Sequence, residues 1–144
     1  MKVLIVDSDS TTLKTLETAF ATRGFVVLTA ETCIEAWNKL IDHARSKKMP
    51  DLIILEPIGG EGMDGIELIR RMRTMTGFVA TPVIVVSADQ ELIDRSILAG
   101  ATAGFTKPMS IDQITKLSKR LLADRQSSAT DHSAIGYTTG PMSF

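Results

Sequence analysis

At 144 residues the chain suits one domain with an adequate core and needs no disulfide or metal to hold it together. A net charge of −1, with 44% apolar and 23% charged residues, excludes a broadly basic nucleic-acid binder and any long-range attraction to an anionic membrane. The single cysteine, Cys33, excludes an internal disulfide framework and fits a reducing compartment.

The first residues, Val3-Leu4-Ile5-Val6, form an apolar run too short for a signal peptide or a membrane span, so a cytoplasmic protein is expected. That run reads as a strand closed by Asp7. Asp9 or Ser10 can cap the following helix, whose Leu13, Leu16 and Phe20 make one buried stripe and which Gly24 ends. A second strand covers Phe25 to Thr29. The next helix runs from about Thr32 to Ser46, with Ile34, Trp37, Leu40 and Ile41 expected inward and Cys33 read as a packed thiol.

Leu52-Ile53-Ile54-Leu55, ending at Glu56, is continuously apolar and so reads as a strand buried on both faces. The loop from Pro57 to Gly62 is rich in turn formers. Asp64 can cap a helix carrying Ile66, Ile69 and Met72, and Arg70, Arg71 and Arg73 on it are read as a solvated face. Val83 to Val86 is a fourth buried strand, ending at Ser87. Asp89 caps a helix that ends near Gly100, Thr102 to Thr106 is a shorter fifth strand followed by Lys107-Pro108, and Ser110 caps a last helix with Ile114, Leu117 and Leu121. Residues 1–123 are expected to form the domain, and 124–144, rich in Ser, Thr, Gly and Ala, a flexible tail.

Five strand–helix units in succession predict an α/β fold, a doubly wound five-stranded parallel sheet of flavodoxin-like order 2-1-3-4-5 with helices on both faces. In such sheets ligands bind at the carboxyl ends of the strands. The sequence puts Asp7, with Ser8 and Asp9, at the first of these ends, Glu56 at the third, Ser87 at the fourth and Lys107 after the fifth. Taken singly, each could be a polar residue that begins a loop; taken together, two acids, a hydroxyl and a lysine make a coherent pocket.

The segments Val6-Asp7-Ser8-Asp9, Asp51-Leu52-Ile53-Ile54-Leu55-Glu56, Met63-Asp64-Gly65, Val86-Ser87-Ala88 and Gly104-Phe105-Thr106-Lys107-Pro108 resemble the receiver domain of bacterial two-component response regulators. The resemblance covers Met1 to about Ala123. It implies an acidic pair after the first strand that holds Mg²⁺, a phosphoryl-accepting aspartate ending the third strand, and Ser87 and Lys107 as contacts to the phosphoryl group. It also implies that Phe105 is a switch residue and that output leaves through residues 89–122. Ser87, Phe105, Lys107 and Asp7 match those roles; Ser8 stands where a second acid is implied, and Glu56 where the acceptor aspartate is implied. The loop from Glu56 to Asp64 is also one residue longer than the family pattern, with Pro57 beside the acceptor position.

These departures point one way. A serine hydroxyl is a poor Mg²⁺ ligand beside a carboxylate. Glu56 reaches roughly 1.5 Å further than an aspartate, into the space a phosphoryl group needs. The expectation is therefore an atypical receiver that acts in signalling as a phosphorylation-independent protein-interaction module, with no catalytic residue and no resident cofactor. Mg²⁺ would be held weakly if at all, by Asp7 and Glu56. The same reach lets Glu56 meet Lys107. Two unit charges about 4 Å apart interact by about 4 kcal/mol at an effective dielectric of about 20, and desolvation offsets much of it. Glu56 then either imitates the phosphorylated state or forms a structural ion pair with Lys107, and the residues leave both open.

Output is expected to pass to a protein partner or through a homodimer, with no nucleic acid and no membrane involved. Three rivals stand beside this reading. One is a phosphoryl-accepting single-domain regulator with a weakened Mg²⁺ site. Another is a flavodoxin-like cofactor binder using the hydroxyl-rich loop from Ser8 to Thr12, though Asp7 and Asp9 would repel a flavin phosphate. The third is a metal hydrolase on Asp7 and Glu56, which lacks histidine support: His43 is expected mid-helix and His132 in the tail, and no Ser–His–Asp or His-Glu-x-x-His pattern is present.

Overall fold

A computed structural model of the chain describes residues 1–46, 48–57 and 62–131, with side chains as far as Arg125. The elements alternate: β1 (Lys2–Val6), α1 (Ser10–Thr22), β2 (Val26–Ala30), α2 (Cys33–Arg45), β3 (Leu52–Leu55), α3 (Gly65–Thr74), β4 (Val83–Ser87), α4 (Gln90–Ala99), β5 (Ala103–Thr106) and α5 (Ile111–Asp131). The strands form one sheet of order β2-β1-β3-β4-β5, every pair parallel, which is the expected topology.

Successive strand residues face opposite sides, and the core divides accordingly. Leu4 and Val6 of β1, with Ile53 and Leu55 of β3, pack on one side against Ala36 and Leu40 of α2, Leu68, Ile69 and Met72 of α3, and Ile93 of α4. Val3, Ile5 and Ile54 pack on the other against Leu16 and Phe20 of α1 and Ile114, Leu117 and Leu121 of α5. The two central strands β1 and β3 are thus sealed by helices on both faces, which explains their continuous apolarity.

Helix starts follow the sequence closely. Asp9, Thr32, Asp64 and Asp89 each accept a hydrogen bond from a first-turn backbone N–H, so short oxygen side chains satisfy donors the helix cannot. At the start of α5 the Ser110 hydroxyl accepts from the Gln113 N–H at 3.2 Å. Gly65, the first residue of α3, has a structural reason to be glycine: a Cβ there would lie 2.4 Å from the Cα of Pro57. α3 therefore starts hard against the end of β3, and the Gly65 N–H donates to the Pro57 carbonyl at 3.1 Å.

Three expectations change. Ile34 does not face inward; it is 41% exposed, and the buried stripe of α2 is Cys33, Ala36 and Leu40, with Trp37 and Ile41 half-buried. Ala36 and Leu40 pack in the core against β1 and β3, and Ile34 falls on the flank of α2. Arg70 and Arg71 are exposed as expected, and Arg71 lies over the Trp37 ring at 5.6 Å. Arg73 is not part of a solvated face. Its half-buried guanidinium donates to the carbonyls of Gly100 at 2.9 Å, Phe78 at 2.9 Å and Thr81 at 2.8 Å, binding the end of α3 to the end of α4. Burial, and then the charge of Arg125, lower its pKa. Finally, α5 continues beyond Ala123 to Asp131, so the start of the expected tail is helical. Residues 132–144 and the loop residues 58–61 lie outside the described residues.

Cys33 is buried at the start of α2, and burial, with the nearby Asp64 charge, pushes its thiol up to about 11. The thiolate is the reactive form. Native protein should therefore resist iodoacetamide at pH 8 and alkylate only after unfolding; rapid native alkylation, read by intact mass, would show Cys33 to be accessible.

Candidate functional site

Three strand ends converge at the carboxyl edge of the sheet. Val6 is in register with Leu55, so the next residues, Asp7 and Glu56, stand side by side on neighbouring strands. The backbone fixes both: the Asp7 N–H donates to Ala30 and the Glu56 N–H to Val6, at 3.1 and 2.9 Å. Both side chains are buried, Asp7 at 3% and Glu56 at 8% exposure. Two like charges so placed need a cation, and Lys107, after β5, supplies it. Its Nζ donates to Asp7 Oδ2 at 3.2 Å and to Glu56 Oε2 in a closer contact. The Lys107 N–H donates to the Ser87 carbonyl at 2.9 Å, which holds the chain beyond β5 over the pocket. The Lys107–Pro108 peptide bond that follows is cis.

The remaining carboxylate oxygens also have donors. The Asp9 backbone N–H donates to Asp7 Oδ1 at 2.8 Å, and the Ser8 hydroxyl donates to Glu56 Oε1 at 3.3 Å. Asp9 itself serves as the cap of α1, accepting from the Thr11 N–H and the Thr12 hydroxyl. The structure thus joins Asp7, Ser8, Glu56 and Lys107 in one network and leaves the Asp9 side chain outside it.

The electrostatics follow from this arrangement. Burial raises the Asp7 pKa, and the Glu56 charge adds to the rise against the lowering by the Asp9 N–H and Lys107. Hydrogen bonding from Thr12 and then Thr11 lowers that of Asp9. For Lys107, burial alone would lower the pKa, but the hydrogen bond to Glu56 and the charge of Asp7 outweigh it and the net shift is upward.

Ser87 and Phe105 stand apart from the network. The Ser87 hydroxyl, buried at the end of β4, accepts from the Asp89 N–H at 3.0 Å, and this is its only side-chain hydrogen bond among the described residues. Phe105 on β5 is half-buried and packs against the α1–α5 side of the core. Of the two histidines, His43 is turned to its own helix, with Nδ1 2.7 Å from the Lys39 carbonyl, and His132 lies outside the described residues. Among the described residues no three His, Cys, Asp or Glu side chains gather in a way that could hold a metal ion. No described helix is long and apolar enough to cross a membrane.

Ser8 as a donor to Glu56 was not foreseen in the sequence, where the hydroxyl counted only as a missing acid. Its partner lies 48 positions away and is set by the β1–β3 register, so no local pattern announces it.

Comparison with known proteins shows the family. The family model of the response regulator receiver domain matches residues 3–119. The transcriptional regulatory protein PrrA of Mycobacterium tuberculosis is 34% identical over 143 residues, covering 98% of this chain and 58% of PrrA. The KDP operon transcriptional regulatory protein KdpE of Escherichia coli is 38% identical over 130 residues, covering 89% of this chain and 53% of KdpE. The chain spans about half the length of these two relatives. The crystal structure of a putative response regulator from Chloroflexus aurantiacus superposes with a TM-score of 0.75 at 27% identity, covering 85% of this chain and 97% of that one. With five parallel strands in the order 2-1-3-4-5, a polar pocket at their carboxyl ends and a family match over most of its length, the chain belongs to the response regulator receiver domain family.

Proposed function

We propose that this chain is an atypical receiver, a signal-transduction module that works through protein contact without being phosphorylated. The observation that carries the reading is the Lys107 ammonium bridging the buried carboxylates of Asp7 and Glu56. Phosphoryl transfer to a carboxylate needs an accessible oxygen, room for the incoming group and a cation to neutralise it. Here Glu56 fills the room, and its two oxygens already accept from Ser8 and Lys107.

The residues do not fit a resident Mg²⁺, which takes near-octahedral oxygen ligands. The Lys107 ammonium already lies between the Asp7 and Glu56 carboxylates and its charge opposes a second cation, and with Asp9 capping α1 no third acid joins them among the described residues. A cofactor-free pocket with no catalytic group is the reading this supports. Between imitation of the phosphorylated state and a structural ion pair, the bonding of Ser87 favours the pair. Its hydroxyl oxygen accepts from the Asp89 N–H and makes no hydrogen bond to Glu56, whereas an imitation that reached the output face would have the hydroxyl donate to Glu56.

Contact would be made through α4, β5 and α5, residues 89–122. Leu98 on α4 is 88% exposed there, beside exposed Asp94 and Arg95, and this mixed-charge face has no basic excess that would favour a nucleic acid or an anionic membrane over a protein partner or a second copy. A cytoplasmic setting is consistent with the free, buried thiol of Cys33.

The test is incubation with Mg²⁺ and acetyl phosphate, followed at once by intact mass in acid, with a conventional receiver alongside to show that the donor is active. No phosphoryl adduct is expected. A stoichiometric adduct mapped to Glu56 would overturn the proposal and make the chain a phosphoryl-controlled switch.

A further inference from the structure

Two of the three departures from the resembled pattern, Ser8 and Glu56, touch each other. Ser8 donates to Glu56 Oε1 while Lys107 holds Oε2, so the Glu56 carboxylate is clamped between two donors on different strand ends. We propose that Ser8 and Glu56 are a matched pair in which Ser8 positions the Glu56 carboxylate, and that with Lys107 they close the pocket to divalent cations. The inference rests on the closed-pocket reading above and adds that closure needs both residues together.

Each departure makes the other workable. With Glu56 in place, an acid at the exposed position 8 would set a third carboxylate where a hydroxyl now lies 3.3 Å from Glu56 Oε1, adding repulsion to two buried acids that already share one lysine. With Ser8 in place, an aspartate at position 56 would withdraw its oxygens by roughly 1.5 Å, beyond hydrogen-bond reach of the hydroxyl. A single change therefore restores either the charge that draws a cation or the space that admits one, but not both. Asp9 does not supply the missing charge, because its two oxygens accept from Thr11 and Thr12.

The experiment compares the full chain, Ser8→Asp, Glu56→Asp and the double variant for binding of Mn²⁺, read from the paramagnetic resonance of the free ion, with circular dichroism as the check on folding. The double variant should bind Mn²⁺ about tenfold more tightly than the two single effects multiplied together, the coupling expected of residues in direct contact. Effects that multiply within about twofold, one single change giving the whole gain, or unmodified protein binding as tightly as the double variant would each overturn the pair. Ser8→Ala and Ser8→Thr, which add no charge, give a second reading that survives any folding defect in the acidic variants. The side-chain carboxyl carbon resonance of Glu56 should move in Ser8→Ala and stay in Ser8→Thr; no movement in Ser8→Ala overturns the positioning role. A phosphoryl adduct on unmodified protein is scored separately. With coupling intact it would sink the proposed function and leave the pair standing; additive Mn²⁺ binding without an adduct would do the reverse.

Discussion

Lys107→Met should cost the domain about 3 kcal/mol at pH 7, because it leaves two buried carboxylates side by side with no cation. Lys107 is 22% exposed, whereas Asp7 and Glu56 are nearly sealed, so the loss falls on the acids and water cannot replace the ammonium. The pH dependence gives the sign. Burial already raises the Asp7 pKa, so the folded state holds that proton more tightly than the unfolded chain does. Removing Lys107 raises it further. Lowering the pH through that raised value, which lies above the ordinary 3.8, neutralises one of the facing charges, and the penalty should shrink as the pH falls toward it. At the basic end the unmodified protein keeps the contribution of Lys107 below the ordinary value of 10.5 and loses it as pH climbs through the raised one. Urea unfolding in EDTA across this range checks both limbs. A loss under about 1 kcal/mol, independent of pH, would mean the bridge behaves like an exposed salt bridge.

Arg73→Met should cost about 2–4 kcal/mol, although the residue lies in what reads as a run of surface arginines. Methionine keeps the apolar stem and removes the guanidinium, leaving the carbonyls of Gly100, Phe78 and Thr81 without their shared donor. Arg73→Lys should recover less than half of the loss, since an ammonium cannot span three carbonyls in one plane. Amide exchange should accelerate first around the end of α4 and the segment before β4. Stability within about 0.5 kcal/mol of the unmodified protein would return Arg73 to the class of solvated side chains.

How far the sequence carried depends on the range of the interaction. The strands were legible because each buried run ends abruptly at a polar residue, as Val6 does at Asp7 and Leu55 at Glu56. The helix starts were legible because Asp9, Thr32, Asp64 and Asp89 act on backbone within three residues of themselves. The inward face of α2 was not. Of the expected set Leu40 is buried, Trp37 and Ile41 are half-buried and Ile34 is exposed, while Cys33 and Ala36, each one position earlier than Ile34 and Trp37 and equally periodic, take the buried places. Arg73 sits four residues after Ile69, beside the buried stripe of α3, and that position was the available sign that it would turn inward. For the pocket, the residue types were visible at the strand ends, but which oxygen meets which donor depends on register and on the reach of one methylene.

The bridge from Lys107 to Asp7 spans 100 residues of chain and joins the loop after the last strand to the end of the first. Its geometry needs β1, β3, β4 and β5 all in place, so Lys107→Met is expected to speed unfolding more than it slows folding. The three charges therefore act mainly on how long the finished domain survives and little on how quickly it forms.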